Sequence, residues 1–321
     1  MRFLIFFILC ASAFADSLFV AVGYGGRRIS SRNGIVWEND QRWSDTAADD
    51  DNVLFNVAFG AGKFVAVGGG AAEGRIVTTR DGEKWTAAPS QKGRVATIVF
   101  GNGRFVATHG QELLTSADGD TFTPGAKLDW PGSIHPRRSA FGDTEAGRMF
   151  VIIGDADLFG EPQRVSWRAA TADGSAFAKA EHHTPEARDI AYGAGNFVIV
   201  GPAGLIETSH DGQTWKRSEA SPTEDFQRIV WTGRRFVISG GKSGWASPDG
   251  LTWTRLPSAI PCSLAWAREA NAFVESPRTP AHPLAIGFSW GGNLHITNDL
   301  ISWKKLALPA GPSLESIAFR P

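Results

Sequence analysis

The stretch SHDGQTW, residues 209–215, decides the fold, because it encodes a tight turn followed by an aromatic residue and recurs along the whole chain. Self-similarity along a whole chain is typical of repeat architectures. Six copies match Ser/Thr-x-Asp/Asn-Gly-x-x-Trp/Phe, and the last copy has Leu300 in place of the glycine. The seven copies are SRNGIVW (31–37), TRDGEKW (79–85), SADGDTF (116–122), TADGSAF (171–177), SHDGQTW (209–215), SPDGLTW (247–253) and TNDLISW (297–303).

A second signature precedes each turn: a short alternating strand, a glycine-rich turn and another strand. Clear copies are NVAFGAGKFVAVG (56–68), TIVFGNGRFVATHG (97–110), DIAYGAGNFVIVG (189–201) and RIVWTGRRFVISG (228–240), with weaker copies at 139–154 and 263–276. Alternating apolar residues punctuated by glycine turns predict β-hairpins, and no stretch carries a helical period. Each unit is therefore predicted to contain four antiparallel strands, a to d, with the Asp-Gly turn joining c to d.

The two ends of the chain share one repeat. The first unit starts at strand b, LFVAVGYGG (18–26), and the chain ends with a spare strand a, PSLESIAF (312–319). Pairing the ends would remove the exposed edges of an open stack. We therefore predict an all-β fold, a seven-bladed β-propeller of four-stranded antiparallel blades, whose C-terminal strand joins the N-terminal blade to close the ring over residues 16–321.

The repeats resemble the Asp-box, or BNR, repeats of the sialidase-like superfamily, and are closest in style to photosystem II stability and assembly-factor-like repeat proteins. The resemblance covers residues 16–321, although the turns here are one residue shorter, with Asp-Gly where Asp-x-Gly is typical. It implies a propeller scaffold, and the assembly-factor style implies a non-catalytic binding role. One such fold hosts many functions.

The N-terminal sequence MRFLIFFILCASAFADS (1–17) indicates export. A basic residue, a short apolar run and Ala13-Phe14-Ala15 are typical of a signal peptide, predicted here as residues 1–15. The run is too short to span a bilayer, so we expect no membrane insertion after cleavage and a secreted or periplasmic location. Cys10 leaves with the signal, so Cys262 has no partner for an intrachain disulfide.

Composition limits the partners. The chain has 32 basic and 33 acidic side chains, so no global electrostatic field favours nucleic acid or an anionic membrane.

The carboxylates of the Asp-Gly turns are predicted to have a scaffold role, in which each accepts hydrogen bonds from the backbone of its own turn. They are Asp81, Asp118, Asp173, Asp211 and Asp249. We expect the protein to be a monomer that needs no metal ion and no cofactor.

Insertions mark the candidate binding face. The segments 44–52, 128–138, 154–164 and 275–293 fall mostly in d-to-a and b-to-c connections, which share one face of a propeller, here called the loop face. Variable loops on a rigid scaffold are where binding residues concentrate.

Three consecutive blades place arginine near the start of strand a, at the mouth of the central channel: Arg137, Arg138, Arg188 and Arg228. Arginine offers a planar fork for carboxylate or phosphate, so these residues predict a site for an anionic group. The alternative is that Asp189 and Glu315 pair with them and only line the channel.

Four aromatic residues are also predicted to lie on the loop face: Tyr24, Trp43, Trp130 and Trp290. An amphipathic ring there could stack on a sugar or anchor a protein partner. Singly, each is expected to be ordinary packing. Together with the arginines they favour an acidic glycan or a protein as the partner.

A sialidase-like hydrolase or polyuronate lyase is the alternative function. Sialidases combine an arginine triad with a tyrosine nucleophile, a partner glutamate and an acidic acid/base, and begin with an Arg-Ile-Pro motif that is absent here. Of two tyrosines, Tyr192 is predicted on the wrong face, and Tyr24 has no identifiable glutamate beside it. Paired carboxylates remain open, at Asp49, Asp50, Asp51, Asp155 and Asp157. His135, His182 and His183 match no metal motif. Catalytic residues are therefore unassigned, and the sequence favours binding without catalysis.

Overall fold

The computed structural model describes residues 17–46, 49, 51–129, 132–158, 165–183, 186–218, 224–240, 243–257, 259–260, 263–266, 285–289 and 293–320. Seven antiparallel sheets form a ring of blades, which confirms the predicted seven-bladed β-propeller. The predicted signal peptide, Cys262, Trp130 and Trp290 lie outside the described residues. Within the described ranges, no helix has the length and apolarity to cross a membrane.

The first four blades are built as follows. Blade 1 contains β1 (Leu18–Gly23), β2 (Arg28–Ser31) and β3 (Glu38–Gln41), with a short 3-10 turn at Tyr24–Gly26. Blade 2 contains β4 (Leu54–Gly60), β5 (Lys63–Gly69), β6 (Glu73–Thr79), β7 (Thr86–Ala87) and the short β8 (Gln91–Lys92), which pairs with β6. Blade 3 contains β9 (Val95–Gly101), β10 (Arg104–His109), β11 (Glu112–Ser116) and β12 (Thr123–Lys127). Blade 4 contains β13 (Gly132–Thr144), β14 (Gly147–Leu158), β15 (Val165–Thr171) and β16 (Lys179–His183).

The remaining blades follow the same order. Blade 5 contains β17 (Asp189–Gly193), β18 (Asn196–Val200), β19 (Ile206–Ser209) and β20 (Lys216–Arg217). Blade 6 contains β21 (Phe226–Trp231), β22 (Phe236–Gly240), β23 (Trp245–Ser247) and β24 (Thr254–Arg255). Blade 7 contains β25 (Ser263–Trp266), β26 (Ala285–Ser289), β27 (Asn293–Thr297) and β28 (Lys304–Leu306). The chain ends in β29 (Leu314–Arg320).

The ring closes as the split repeat predicts. β29 is the innermost strand of blade 1 and pairs antiparallel with β1, with Val20 opposite Ala318 and Val22 opposite Ser316. Closure leaves β1 hydrogen-bonded on both sides, so neither terminal strand presents an open inner edge.

The core lies between neighbouring blades. In blades 1 to 6, the aromatic residue of strand a packs on the first phenylalanine of strand b in its own blade, at centroid distances of 4.9 Å for Phe59–Phe64 and 4.8 Å for Phe100–Phe105. The same ring covers a glycine of the preceding blade: a Cβ built at Gly60 would lie 2.0 Å from Phe100 Cγ. Only glycine allows the blades to approach this closely, which explains the glycine after the aromatic in the second signature.

The Asp-Gly turns are scaffold, as predicted. In the opening stretch, Ser209 Oγ accepts a hydrogen bond from Gly212 N at 2.8 Å, and Asp211 Oδ1 accepts from Gln213 N at 2.7 Å and Thr214 N at 2.6 Å. Gly212 has a φ of 73°, a backbone conformation that residues other than glycine rarely adopt. In the last turn, Leu300 adopts φ of 66° and is 1% exposed, so its side chain is used in the core.

Candidate functional site

The innermost strands of the seven blades surround the central channel, and their first residues lie at its loop-face mouth. The residue three positions before the strand a aromatic is here called the ring position. It is occupied in blade order by Ser316, Asn56, Thr97, Arg138, Asp189, Arg228 and Ser263.

At three ring positions, a polar side chain joins one blade to the next. An acceptor oxygen there receives the backbone N–H of the following blade's strand a, which is otherwise left without a partner on that side. The contacts are Val57 N to Ser316 Oγ at 3.2 Å, Ile98 N to Asn56 Oδ1 at 3.1 Å and Ile229 N to Asp189 Oδ2 at 2.9 Å. At these three ring positions the side chain acts as a hydrogen-bond acceptor between blades, whereas Thr97 Oγ1 lies 3.1 Å from Thr108 Oγ1 in its own blade.

Arginine breaks this arrangement, because a guanidinium has donors and no acceptor. After Arg138, the Ile190 N–H is satisfied instead by Asp189 Oδ1 at 2.9 Å. Arg138 Nη1 donates to the Arg137 carbonyl at 2.8 Å, and its Nε lies 3.7 Å from Asp189 Oδ1. Arg228 Nη1 donates to the Gln227 carbonyl at 3.2 Å. Neither arginine has a close bidentate carboxylate among these contacts.

The electrostatics show that Arg138, Arg228 and Glu315 face one another. Burial, and after it the charge of Arg228, lower the pKa of Arg138 to about 10, against the opposing charges of Asp189 and Glu315. Burial also raises the pKa of Glu315, against the charges of Arg138 and Arg228. Two like charges therefore lie close together, with Arg138 partly buried, beside one carboxyl group whose ionisation is disfavoured.

Arg137 and Arg188 differ in how they are held. Arg137 Nε lies 2.7 Å from Asp155 Oδ2, and its Nη1 lies 2.8 Å from Glu186 Oε1, so two carboxylates occupy its fork. Arg188 Nε is 3.6 Å from the same Glu186 oxygen, and its Nη1 is buried without a hydrogen-bond partner. Arg137 is therefore paired, although with Asp155 and Glu186 instead of the expected Asp189 and Glu315, whereas Arg188 retains a donor.

The aromatic candidates that the structure describes lie elsewhere on the loop face. Tyr24 is half-buried in the b-to-c connection of blade 1, where its N–H donates to the Ser313 carbonyl at 2.9 Å. Trp43 lies in the connection from blade 1 to blade 2 and is 43% exposed. The arginines occupy blades 4 to 6, so the structure does not bring the two sets together.

Several candidates for catalysis that the structure describes have structural contacts, whereas Asp50 lies outside the described residues. The Tyr192 hydroxyl donates to the Asp143 carbonyl near an a-to-b turn, which is the face away from the arginines, and burial raises the pKa of Tyr192. Asp49 accepts hydrogen bonds from Asn52. His135 Nε2 lies 2.8 Å from Asp157 Oδ2. Within the described ranges, no group of three His, Cys, Asp or Glu side chains is arranged to hold a metal.

Sequence reasoning missed several residues that shape these sites. The sequence marks Asp155 only as a possible catalytic carboxylate, and no pattern in it marks Glu186, Arg28 or Arg75. Asp155 and Glu186 come from the end of β14 and the connection before β17, and both reach Arg137. No local pattern marks such pairs, since their partners are far apart in the chain or belong to variable connections.

Comparison with known proteins adds information on the fold alone. No family model matches the chain. No curated protein matches it. Among solved structures, apo AztD from Citrobacter koseri is 10% identical, with 95% of this chain and 97% of that chain covered at a TM-score of 0.52. The WD40 β-propeller domain of Doa1 is 13% identical, with 93% of this chain and 92% of that chain covered at a TM-score of 0.47. The AztD likeness supports a propeller and says nothing about a ligand.

Proposed function

We propose that this chain is an exported, non-catalytic β-propeller of Asp-box-like repeats that binds an anionic group of an acidic glycan or protein at the loop-face mouth of the channel. The fold is consistent with a binding or assembly module. In the proposed site, the ligand contacts Arg138, Arg188 and Arg228. Arg137, which is held by Asp155 and Glu186, orders the connection before blade 5.

The observation that carries the proposal is arginine at the ring position. The described neighbours Ser316, Asn56 and Asp189 use this position to hold blades together through acceptor atoms. Arg138 and Arg228 give up that contact and place two mutually repelling cations at the channel mouth, of which Arg138 is partly buried. An anion between them would offset the repulsion, which gives the two residues a reason beyond scaffolding.

The spare donors fit a carboxylate or a phosphate. The Arg188 Nη1 atom is buried and unpartnered, and the Arg228 donor contact reaches only a neighbouring carbonyl. A planar anion can accept two parallel hydrogen bonds from one guanidinium, and such charge-assisted bonds are roughly twice as strong as neutral ones. Glu315 is the internal competitor, because its carboxyl group lies near Arg138 and Arg228.

The test is calorimetric titration of the purified chain, residues 16–321, with oligogalacturonate, 3′-sialyllactose and inorganic phosphate, with product analysis of the same samples. We expect one of the three to bind without cleavage, and Arg188→Gln and Arg228→Gln each to weaken binding by about tenfold or more, since a charge-assisted hydrogen bond contributes roughly 1.5–3 kcal/mol. Arg104→Gln is the matched control, because Arg104 begins a strand b on the opposite face and contacts the Asp173 carbonyl.

The outcomes separate the alternatives. Binding that both channel variants weaken, with no products, supports the proposal. Released oligosaccharide contradicts the non-catalytic assignment and favours a hydrolase or lyase. Binding that is unaffected by the channel variants, or no binding of any of the three probes, counts against an anion site at the channel mouth.

A further inference from the structure

A second cavity lies on the loop face between blades 1 and 2, away from the channel arginines of blades 4 to 6. Its volume is about 440 Å³, within the range of roughly 300–1,000 Å³ that is usual for small-molecule sites. Its lining includes Trp43 from the connection after blade 1, Asn52 before β4, Glu73, Arg75 and Ile76 of β6, and Ala88 after β7.

The indole of Trp43 is held in place from the protein interior. Gly26 lies against it so closely that a Cβ there would be 1.9 Å from Trp43 Cε3. The Arg28 guanidinium carbon lies 4.4 Å from the Trp43 ring centroid and 5.6 Å from that of Trp85. The ring nevertheless remains 43% exposed and borders the cavity. The Arg75 guanidinium carbon lies 5.4 Å from the same centroid, so two arginines contact a ring that is positioned firmly and still partly exposed.

Arg28 is costly for a residue with a purely structural role. It is 6% exposed, its Nε and Nη1 atoms are buried without hydrogen-bond partners, and burial lowers its pKa to about 10. A buried polar group without a partner destabilises a fold, whereas an apolar side chain of similar size would not. Its contacts with the two indoles are cation–π interactions, which strengthen when the cation is desolvated. The cost of burying Arg28 is explained if its role is to hold the Trp43 ring in one orientation for a ligand.

The rim of the cavity alternates hydrogen-bond donors and acceptors. Arg75 Nη1 lies 3.2 Å from Glu73 Oε1, and Arg75 Nη2 lies 3.4 Å from Asn52 Oδ1. The Glu73 side chain is 48% exposed and keeps acceptor capacity, while Arg75 Nε is buried without a partner. The charges of Arg75 and Glu73 balance, so these rim residues favour an uncharged ligand that both donates and accepts.

We propose that this cavity binds one neutral pyranose ring of a glycan, with a C–H face of the sugar against Trp43 and neighbouring hydroxyl groups on Glu73, Arg75 and Asn52. A sugar hydroxyl supplies a donor to the carboxylate and an acceptor to the guanidinium. A fatty or aromatic acid would satisfy the apolar floor formed by Ile76 and Ala88, but would place its charge beside Glu73. This site is independent of the anion site at the channel.

The experiment is saturation-transfer-difference NMR of the chain, residues 16–321, with the methyl pyranosides of glucose, galactose, mannose and N-acetylglucosamine, and with 3-phenylpropionate as the competing chemistry. We expect at least one pyranoside to show transfer concentrated on the ring protons of one sugar face. Glu73→Gln should weaken its binding about tenfold, because a hydrogen bond to a charged group is lost. Trp43→Ala should abolish the transfer.

Two further variants keep the result interpretable if Trp43→Ala fails to fold. Ala88→Leu fills the cavity without touching the Trp43 support and should also abolish transfer, whereas Arg228→Gln at the channel should leave it unchanged. The proposal is overturned if none of the four pyranosides shows transfer, if transfer survives Ala88→Leu, or if 3-phenylpropionate alone binds at the cavity.

Discussion

At the scale of single residues, the atoms at the ring position decide whether a side chain joins two blades or presents charge at the channel mouth. Asp189 uses both carboxylate oxygens on backbone N–H groups, from Ile190 in its own strand and Ile229 in the next blade, at 2.9 Å each. Arg138 and Arg228, at the same position in the flanking blades, cannot do this. The same position therefore stabilises the ring where it accepts hydrogen bonds and presents charge where it donates them.

Asp189→Ala should lower the free energy of unfolding by about 3 kcal/mol, because two buried backbone donors lose their acceptor and each costs roughly 1–3 kcal/mol. Urea denaturation measures the change. Asp225→Ala is the control, since Asp225 is exposed and, among the residues that the structure describes, accepts a hydrogen bond from Ala203 N at 3.0 Å. A loss at Asp189 no larger than that at Asp225 would contradict the inter-blade role.

The ionised carboxylates of the Asp-Gly turns make the free energy of unfolding depend on pH. Hydrogen bonds from the backbone N–H groups of Thr121 and Asp120 lower the pKa of Asp118 to about 2. The ordinary value is about 3.9, so the stability from this ionised group is present above about pH 4 and is lost as the pH falls towards 2.

Asp118→Asn should keep the turn but remove its acid dependence, because Asn33 fills the same position in blade 1 and accepts from Ile35 N at 2.9 Å and Val36 N at 2.8 Å. We expect the variant to be less stable than the parent at pH 6 and the difference to shrink at pH 2.5, measured by urea midpoints at both pH values. A difference that does not vary with pH would show that ionisation of Asp118 adds nothing.

At the scale of elements, blades are joined by an aromatic ring over a glycine. Phe100 covers Gly60, Phe141 covers Gly101 and Trp231 covers Gly193, with the built Cβ about 2 Å from the ring in each case. The a-to-b hairpin therefore carries two requirements: turn glycines for its own backbone and one more glycine for the neighbouring blade. This explains why the second signature reads aromatic–Gly even though that glycine belongs to the strand.

Gly101→Ala should cost about 3 kcal/mol, because the added methyl would lie 2.1 Å from Phe141 Cγ and must push two blades apart. Gly103→Ala in the same hairpin meets nothing within 4 Å and has φ of +73°, so it should cost only about 1 kcal/mol of backbone strain. Thermal unfolding of the two variants compares them directly. Equal losses would mean that the blades yield easily at this contact.

At the scale of the whole molecule, stability depends on closing the ring. β29 brings Phe319 to 4.4 Å from Phe19 and Glu315 to the channel mouth, so one strand both seals the fold and contributes to the candidate anion site. An open ring would expose the apolar inner edge of β1, and exposed strand edges promote aggregation.

Deleting residues 312–321 should abolish cooperative unfolding and lead to aggregation, as followed by circular dichroism and light scattering. A circular permutant that places 312–320 ahead of residue 18 through a flexible linker restores the strand and should unfold cooperatively, since the strand pairing is unchanged. A deleted chain that stays monomeric and cooperative would show that six complete blades and an open seventh suffice.

The sequence by itself determined the blade count, the four-strand unit, the ring closure and the scaffold role of the aspartates. These features depend on turn chemistry and alternation within a few residues, so SHDGQTW and DIAYGAGNFVIVG carry them locally. The signal peptide and the arginine candidates are also predictions from short patterns. The structure confirms the fold.

Only the tertiary structure decided which charges are satisfied. Arg137 and Arg188 come from the same position of neighbouring blades, yet Asp155 and Glu186 occupy the fork of one and leave a donor of the other unpartnered. Likewise, the Trp43 cavity combines a connection of blade 1 with β6 of blade 2. Charge pairing and cavities depend on distances between residues remote in the chain, and burial strengthens or penalises a charge only once the surrounding blades exclude water.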